Sequence, residues 1–294
     1  MARNFLMLVG IFIILASGAK LYVNAVNFTL VNLCKETIWP GIITHNNNPG
    51  EGFTLKMGQT ALYNVPDGWS GRIWARTGCS FDKNGGNASS ICQTGDCGPS
   101  VNCTSPGNLP VTIAELTLGV GGLIDYYDVS LVDGFNVPIV VKPANGKGNC
   151  STAGCDGDLR DTCPPELAVK PNGTVTACRS SCDVFNTDEY CCRGTYLDPV
   201  TCLPTSYSRA FKQVCPGASS YAGDILTVTC SSTEYIVAFC ALRNQTICSF
   251  HDQILVCSNP YASAGFKAIP GSWWSLMLSL LFTPLLQIFI LQPL

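Results

Sequence analysis

The sequence is poor in the side chains that many enzymes use for proton transfer. It has two histidines, His45 and His251, among 294 residues, and only 13% of its residues are charged. No phosphate-binding loop, kinase signature or Gly-x-Ser-x-Gly elbow occurs. His45 stands in an Asn-rich loop and is expected to be a solvated surface residue rather than a catalyst. We therefore expect no cofactor.

The sequence also lacks Cys-x-x-Cys pairs, although it contains 18 cysteines. Structural zinc sites need four ligands in two close pairs, and two histidines cannot complete many such sites, so a metal is not expected. An even number of cysteines between Cys34 and Cys257 favours a disulfide framework, which forms in an oxidising compartment.

No acidic residue occurs in the first 25 residues. Arg3 and Asn4 precede an apolar run from Phe5 to Ala16, which is too short to span a bilayer comfortably. This order is typical of a cleaved secretory signal, predicted to cover residues 1–25 and to leave Val26 as the mature N-terminus.

The other end has no charge at all from Trp273 to Leu294. Small residues at Ala262–Gly265, a short spacer and this apolar tail describe a glycosylphosphatidylinositol (GPI) attachment signal, with attachment at Ser263 and removal of residues 264–294. The alternative is a single membrane-spanning helix, but the tail lacks the basic flank that fixes the orientation of such a helix. The expected location is the secretory pathway, ending at the outer face of the plasma membrane or in the extracellular apoplast.

Removal of both ends makes the remaining chain acidic. Three of the 17 basic residues, Arg3, Lys20 and Lys267, lie in the removed ends, whereas all 20 acidic residues lie between positions 26 and 263. The remaining chain thus has 14 basic and 20 acidic residues, a net charge of −6. Nucleic acid is therefore excluded as a partner, and a monomer is expected. Asn-x-Ser/Thr sequons predict N-glycosylation at Asn27, Asn87, Asn102, Asn149, Asn172 and Asn244.

Alternating apolar and polar residues predict an all-β sandwich core. Strands are expected over 26–31, 37–40, 53–65, 71–75, 111–118, 126–141, 225–230 and 235–240, with Pro40 at the end or edge of its strand and the last strand pairing back toward the N-terminus. Helices are expected only around 178–185 and around 206–214, where Tyr207, Phe211 and Val214 recur at helical spacing. Two segments rich in Gly and Cys, about 77–110 and 150–216, are predicted to be disulfide-rich lobes, with the domain over 26–242 and a linker over 243–263.

Several motifs resemble those of the thaumatin-like family of plant defence proteins. They are Ile73–Asp82, Ile91–Gly98, Asp128–Ser130, Gly134–Pro138, Cys163–Leu167, Glu189–Cys192, Tyr207–Arg209 and Thr229–Cys230. The similarity covers roughly residues 26–242 and implies the family's β-sandwich with two disulfide-rich lobes. It is far more specific for fold than for activity.

The resemblance also implies eight disulfides: Cys34–Cys240, Cys79–Cys92, Cys97–Cys103, Cys150–Cys230, Cys155–Cys215, Cys163–Cys178, Cys182–Cys191 and Cys192–Cys202. Cys248 and Cys257 lie outside the family core and, as the two that remain, are expected to pair with each other.

Thaumatin-like proteins carry an acidic cleft between the sheets and the disulfide-rich lobe. The resemblance implies that the cleft acids here are Glu115, Asp128, Asp133 and Asp224. The family's cleft arginine aligns best with Leu62, while Arg76 belongs to another motif, so a more negative cleft is expected. Trp69 is left open between the core and a sugar-stacking surface.

Such a cleft suits a binding module that holds β-1,3-glucan or a related wall polysaccharide, with the defence and antifungal roles that the resemblance implies. It also suits a weak endo-β-1,3-glucanase that uses Glu115 and Asp128 as its catalytic pair. Binding is favoured because it requires less exact geometry. A signalling or structural protein of the cell surface is the third alternative.

The predicted lipid anchor can be tested on intact cells. Phosphatidylinositol-specific phospholipase C should release the protein, because the lipid would be its only attachment to the membrane. Release is measured by immunoblotting of the medium. Retention of a form that still contains residues 264–294 would favour the membrane-spanning helix.

Overall fold

The computed structural model describes residues 25–45, 50–81, 92–148, 150–251 and 254–258. The predicted attachment site at Ser263, the removed segment 264–294 and nearly all of the signal segment lie outside these residues, as do the sequons at Asn87 and Asn149. Within the described residues, no helix has the length and apolar composition needed to cross a bilayer.

One of the two main sheets has five strands, in the order β4-β1-β13-β8-β9. Strand β1 pairs in parallel with β13. The sequence predicted that the strand near residues 235–240 would pair back toward the N-terminus. The strands are β1 (Val26–Asn32), β4 (Thr60–Val65), β8 (Ile139–Ala144), β9 (Ala153–Gly154) and β13 (Glu234–Phe239).

The other main sheet has six strands, in the order β12-β7-β6-β5-β2-β3. Its central strands β5, β6 and β7 are antiparallel neighbours. The strands are β2 (Trp39–Thr44), β3 (Glu51–Gly52), β5 (Ser70–Arg76), β6 (Ile113–Thr117), β7 (Asp125–Ser130) and β12 (Val228–Cys230). Pro40 lies in β2 near the edge of the sheet, where a residue without an amide donor is tolerated.

The hydrophobic core lies between the two sheets. Because successive side chains of a strand point to opposite faces, Ala114 and Leu116 of β6 are buried in the core while Glu115 points outward. At the core's centre, Phe28 contacts Trp69 edge-to-face, with ring centroids 5.1 Å apart. The all-β sandwich that the alternation predicted is confirmed.

Helices occur in the second disulfide-rich lobe. They are α1 (Ser181–Phe185), α2 (Asp188–Cys191) and α3 (Ser206–Val214), and the short strands β10 (Ala168–Val169) and β11 (Ala177–Cys178) pair beside them. The sequence predicted α3 correctly. It began α1 too early, because Cys178 belongs to β11 and Ser180 is the residue that caps the helix.

Nine disulfides join all 18 cysteines. They comprise the eight pairs that the family resemblance implies and the pair Cys248–Cys257. Cys34–Cys240 joins residues 206 positions apart and closes nearly the whole domain. In the chain-entropy model, closing so long a loop stabilises the fold by about 5 kcal/mol.

After β13 the chain forms a further hairpin, β14 (Ile247–His251) and β15 (Ile254–Ser258). Ile247 is 1% exposed and packs with Val31, Val140, Ile236 and Ala238 on the outer face of the five-stranded sheet. The segment predicted as a linker therefore contributes a buried side chain to the folded domain.

Replacement of Ile247 by Ala tests this packing. We expect the free energy of unfolding to fall by about 2 to 5 kcal/mol, because a buried aliphatic side chain is lost and a cavity remains. Denaturant unfolding without reductant measures the change. The control Leu203→Ala, at a side chain that is 64% exposed, should change stability by less than about 0.5 kcal/mol; equal effects of the two variants would contradict the packing.

Candidate functional site

Three charged side chains form a row across the outer face of the six-stranded sheet. Arg72 on β5 lies opposite Glu115 on β6, and Glu115 lies opposite Asp128 on β7. Directly opposed residues of antiparallel strands have Cβ atoms roughly 5 Å apart. Nε of Arg72 is 2.7 Å from Oε1 of Glu115. The row therefore places an ion pair directly beside a second carboxyl group.

The chain that follows α3 covers one side of this row. The amide of Ser219 donates to the carbonyl of Val129 at 2.8 Å, and the Ser219 carbonyl accepts from the amide of Leu131 at 2.8 Å. These bonds bring the Ser219 hydroxyl to 3.4 Å from Oδ2 of Asp128. We call the region formed by Arg72, Glu115, Asp128, Asp133 and Ser219 the acidic groove; Ser220 continues the covering segment beside it, and Asp224 bonds to Ser220.

Asp128 is the most perturbed acid of the groove. Burial raises its pKa to about 7, and the negative charge of Glu115 adds to the increase. The hydrogen bond from Ser219 and the positive charge of Arg72 oppose the increase without cancelling it. Asp128 can therefore hold a proton at mildly acidic pH, as a general acid or a hydrogen-bond donor must.

Asp133 follows β7 and interacts electrostatically with the row. Burial raises its pKa, the charge of Arg72 opposes that rise, and the charges of Glu115 and Asp183 add to it. Glu115 thus lies close enough to both Asp128 and Asp133 for its charge to raise their pKa values.

Asp224 has a different environment from the other three acids. Its Oδ2 lies 2.8 Å from Nζ of Lys212 and accepts bonds from the amide and hydroxyl of Ser220, both at 2.9 Å. Burial acts to raise its pKa, but these partners outweigh burial and the pKa lies below its usual range. Ser220 bonds to Asp224, and the preceding residue, Ser219, bonds to Asp128. The two acids are therefore linked through adjacent serines.

The groove contains an arginine that the sequence reasoning missed. Leu62, the position expected to align with the family's cleft arginine, lies on β4 in the other sheet and is 50% exposed. Arg72 occupies the groove instead, so the expected increase in negative charge is wrong. Alternation along Ser70–Arg76 predicts that the side chains of Arg72 and Ile73 point to opposite faces of the sheet. Only the register of β5 with β6 shows that Arg72 lies opposite Glu115.

Three further residues with polar or aromatic side chains are structural. Trp69 is 5% exposed and packs in the core, so it offers no ring to a sugar. Asp125 is buried and accepts bonds from the amides of Gly119 and Ser232 and from the hydroxyl of Tyr235. Arg76 is fully buried and donates to four backbone carbonyls.

A small cavity of about 40 Å³ adjoins the groove next to Ser220. A water molecule needs roughly 10 to 15 Å³ of such space, so the cavity has room for a water or a hydroxymethyl group. It is lined by Val132, Ser180, Ser181, Cys182, Tyr190, Cys191, Ser220, Tyr221 and Ala222. Among the residues that the structure describes, no cluster of His, Cys, Asp and Glu is arranged to hold a metal ion.

Comparison with known proteins gives a family match over most of the chain. The model of the Thaumatin family matches residues 32–241. The chain is 50% identical over 223 residues to pathogenesis-related thaumatin-like protein 3.5 of Cryptomeria japonica, covering 74% of this chain and 90% of that protein. It is 48% identical over 222 residues to pathogenesis-related protein 5 of Arabidopsis thaliana, covering 74% and 91%.

Among solved structures, the thaumatin-like xylanase inhibitor is similar with a TM-score of 0.43 and 24% identity, covering 73% of this chain and 99% of that one. The family match at residues 32–241 contains the groove residues and ends before the hairpin of β14 and β15.

The pH dependence of stability tests the burial of Asp128. Its folded pKa of about 7 lies above the ordinary unfolded value of about 3.9, so the folded state binds more protons between these values. The Asp128 contribution to the free energy of unfolding must therefore decrease as pH rises from about 4 to about 7. Asp128→Asn should remove that decrease and be more stable relative to wild type above about pH 7.

Denaturant unfolding at a series of pH values measures this effect. Asp156→Asn is the control, since Asp156 lies beyond β9 in an ion pair with Arg243 and its pKa is lowered rather than raised. A stability difference between Asp128→Asn and wild type that stays constant from pH 4 to pH 8 would contradict the raised pKa.

Proposed function

Because this chain belongs to the thaumatin family, we propose that it is a cell-surface defence-type protein whose acidic groove binds β-1,3-glucan or a related wall polysaccharide. The observation that carries the proposal is the row of Arg72, Glu115 and Asp128, with Ser219 beside it. This row presents donors and acceptors side by side, which is what a polymer rich in hydroxyl groups requires.

The chemistry of the groove fits a neutral sugar chain. Carboxylates accept hydrogen bonds from sugar hydroxyls, and such charge-assisted bonds are stronger than neutral ones. Arg72 can donate to ring or hydroxyl oxygens, while protonated Asp128 can donate as well as accept. The cavity next to Ser220 has room for a hydroxymethyl group.

Hydrolysis of the same polymer is the second candidate, and the raised pKa of Asp128 favours it. A glycosidase needs one protonated acid and one carboxylate. Asp128 would be the acid, and Glu115, held by Arg72, would be the carboxylate. A spacing of roughly 5 Å between carboxyl groups suits a retaining mechanism. Binding remains the first candidate because Glu115 and Asp128 project from the same face of adjacent strands rather than from the two sides of a bound sugar.

The proposed address is the outer surface of the plant cell, reached by secretion and kept by a lipid attached at Ser263. The charge-free tail from Trp273 to Leu294 and the small residues before it support the anchor. Nine disulfides are typical of a protein that folds in the secretory pathway. The sequons at Asn172 and Asn244 are exposed and accept a glycan without disturbing the core.

Binding and hydrolysis can be measured on the same samples. We expect wild-type protein to bind an insoluble linear β-1,3-glucan, and Glu115→Gln and Asp128→Asn each to weaken binding about tenfold. Loss of one hydrogen bond to a charged group costs about 1.5 to 3 kcal/mol, and 1.4 kcal/mol corresponds to a factor of ten. The matched control Asp156→Asn removes a carboxylate outside the groove and should bind normally.

Release of reducing sugar at pH 5 and pH 8 then separates the candidates. A binding module releases none. A glucanase releases sugar at pH 5, where Asp128 is protonated, loses activity at pH 8, and is inactive in both groove variants. Wild-type protein that neither binds nor cleaves the glucan would contradict both and favour a signalling or structural role.

A further inference from the structure

The segment after β13 and the acidic groove lie on opposite faces of the sandwich. Ile247 packs against Val31, Val140 and Ile236 on the outer face of the five-stranded sheet. The groove lies on the outer face of the six-stranded sheet, and the whole hydrophobic core separates the two. Ile247 therefore does not cover the groove.

The C-terminal end of the last hairpin lies next to Ile247. In the last hairpin, Ile247 pairs with Ser258, and Cys248 is bonded to the neighbouring Cys257. The end of β15 is thus held next to a side chain that is buried on the sheet. Five residue steps separate Ser258 from Ser263, and five extended residues span at most about 17 Å. The proposed attachment residue, Ser263, would therefore lie within about 17 Å of Ser258.

A mixed apolar and basic surface lies at this end of the five-stranded sheet. Two turns meet there: the amide of Leu33 donates to the carbonyl of Phe239, and the amide of Gly58 donates to the carbonyl of Asn32. The disulfide Cys34–Cys240 joins the same turns to the end of β13. We call this the Leu33–Met57 surface; it consists of Leu33, Lys35, Lys56 and Met57.

The Leu33–Met57 surface has the composition of a membrane contact. Leu33 is 37% exposed and Met57 is 64% exposed, and Lys35 and Lys56 are exposed next to them. Apolar tips can enter the headgroup region while lysines extend to the phosphates. Glu36 is the one acid in these turns, so the surface carries a positive charge of one within an acidic protein.

We propose that the Leu33–Met57 surface rests on the bilayer that holds the lipid anchor. The orientation depends on the proposed anchor at Ser263. The segment that leads to Ser263 leaves the hairpin at this end of the five-stranded sheet, so these apolar and basic side chains are near the attachment point. The exposed apolar side chains Val120, Leu123 and Ile124 lie at the opposite end of β13, near Ser231.

The orientation can be tested by placing a tryptophan in the surface of the full anchored protein. Met57→Trp is reconstituted into phosphatidylcholine vesicles whose acyl chains carry bromine, which quenches nearby tryptophan. The matched control is Leu123→Trp, at a side chain that is 68% exposed. Leu123 follows Gly122, which accepts a bond from Ser231 near the start of β13, so it lies at the opposite end of that strand from Cys240. Leu33→Trp is a second probe should Met57→Trp not fold.

We expect the emission added by Met57→Trp to be largely lost in brominated vesicles and restored after phospholipase C releases the protein, while the emission added by Leu123→Trp is unchanged throughout. Equal quenching of both probes, or of neither, in protein that phospholipase C does release would overturn the orientation and leave the anchor intact. Failure of phospholipase C to release the protein would overturn the anchor and the orientation together.

Discussion

The outer face of the six-stranded sheet is covered by chain that has little hydrophobic material of its own, and disulfides keep it there. Cys155–Cys215 joins the two ends of the second lobe to each other, and Cys150–Cys230 joins its first residue to β12. Between them, Ser219 pairs with the end of β7 and covers Asp128. Since burial is the main cause of the raised pKa of Asp128, the ionisation of the groove depends on covalent bonds remote from it.

Buried polar groups hold the loops around the groove in one arrangement. Arg76 is fully buried, and burial lowers its pKa to about 10 although the charge of Asp96 opposes this. Its guanidinium donates to Trp39, Pro40, Ser100 and Val101, so it joins β2 to the loop that Cys97–Cys103 closes. Asn136, also fully buried, bonds to the backbone of Ala75 and to Thr94. Loss of either side chain would leave buried acceptors unpaired, which is costly.

The two outer faces of the sandwich have different chemistry. The outer face of β5, β6 and β7 carries charged residues that remain partly open to solvent beside the second lobe. On the other sheet, Val31, Val140, Ile236 and Ala238 form an apolar patch on the outer face that packs against Ile247. The family match ends at residue 241, so this cover belongs to the part of the chain that distinguishes it from the matched domain.

Much of the architecture could be predicted from the sequence. The number and spacing of cysteines indicated a disulfide-rich protein, alternation located most strands, and the spacing of Tyr207, Phe211 and Val214 predicted α3 with its observed bounds. These features depend on residues close together in the chain or on motifs that carry the family resemblance. Glu115 and Asp128 were singled out on the same basis.

Other features were decided by the tertiary structure. Arg72 enters the groove because the register of β5 with β6 sets it opposite Glu115. Trp69 and Asp125 are buried because distant residues, Phe28 and Tyr235, cover them. The sequence determined which side chains could point outward together, but burial and charge pairing depend on which strands become neighbours and on what the disulfides hold over them.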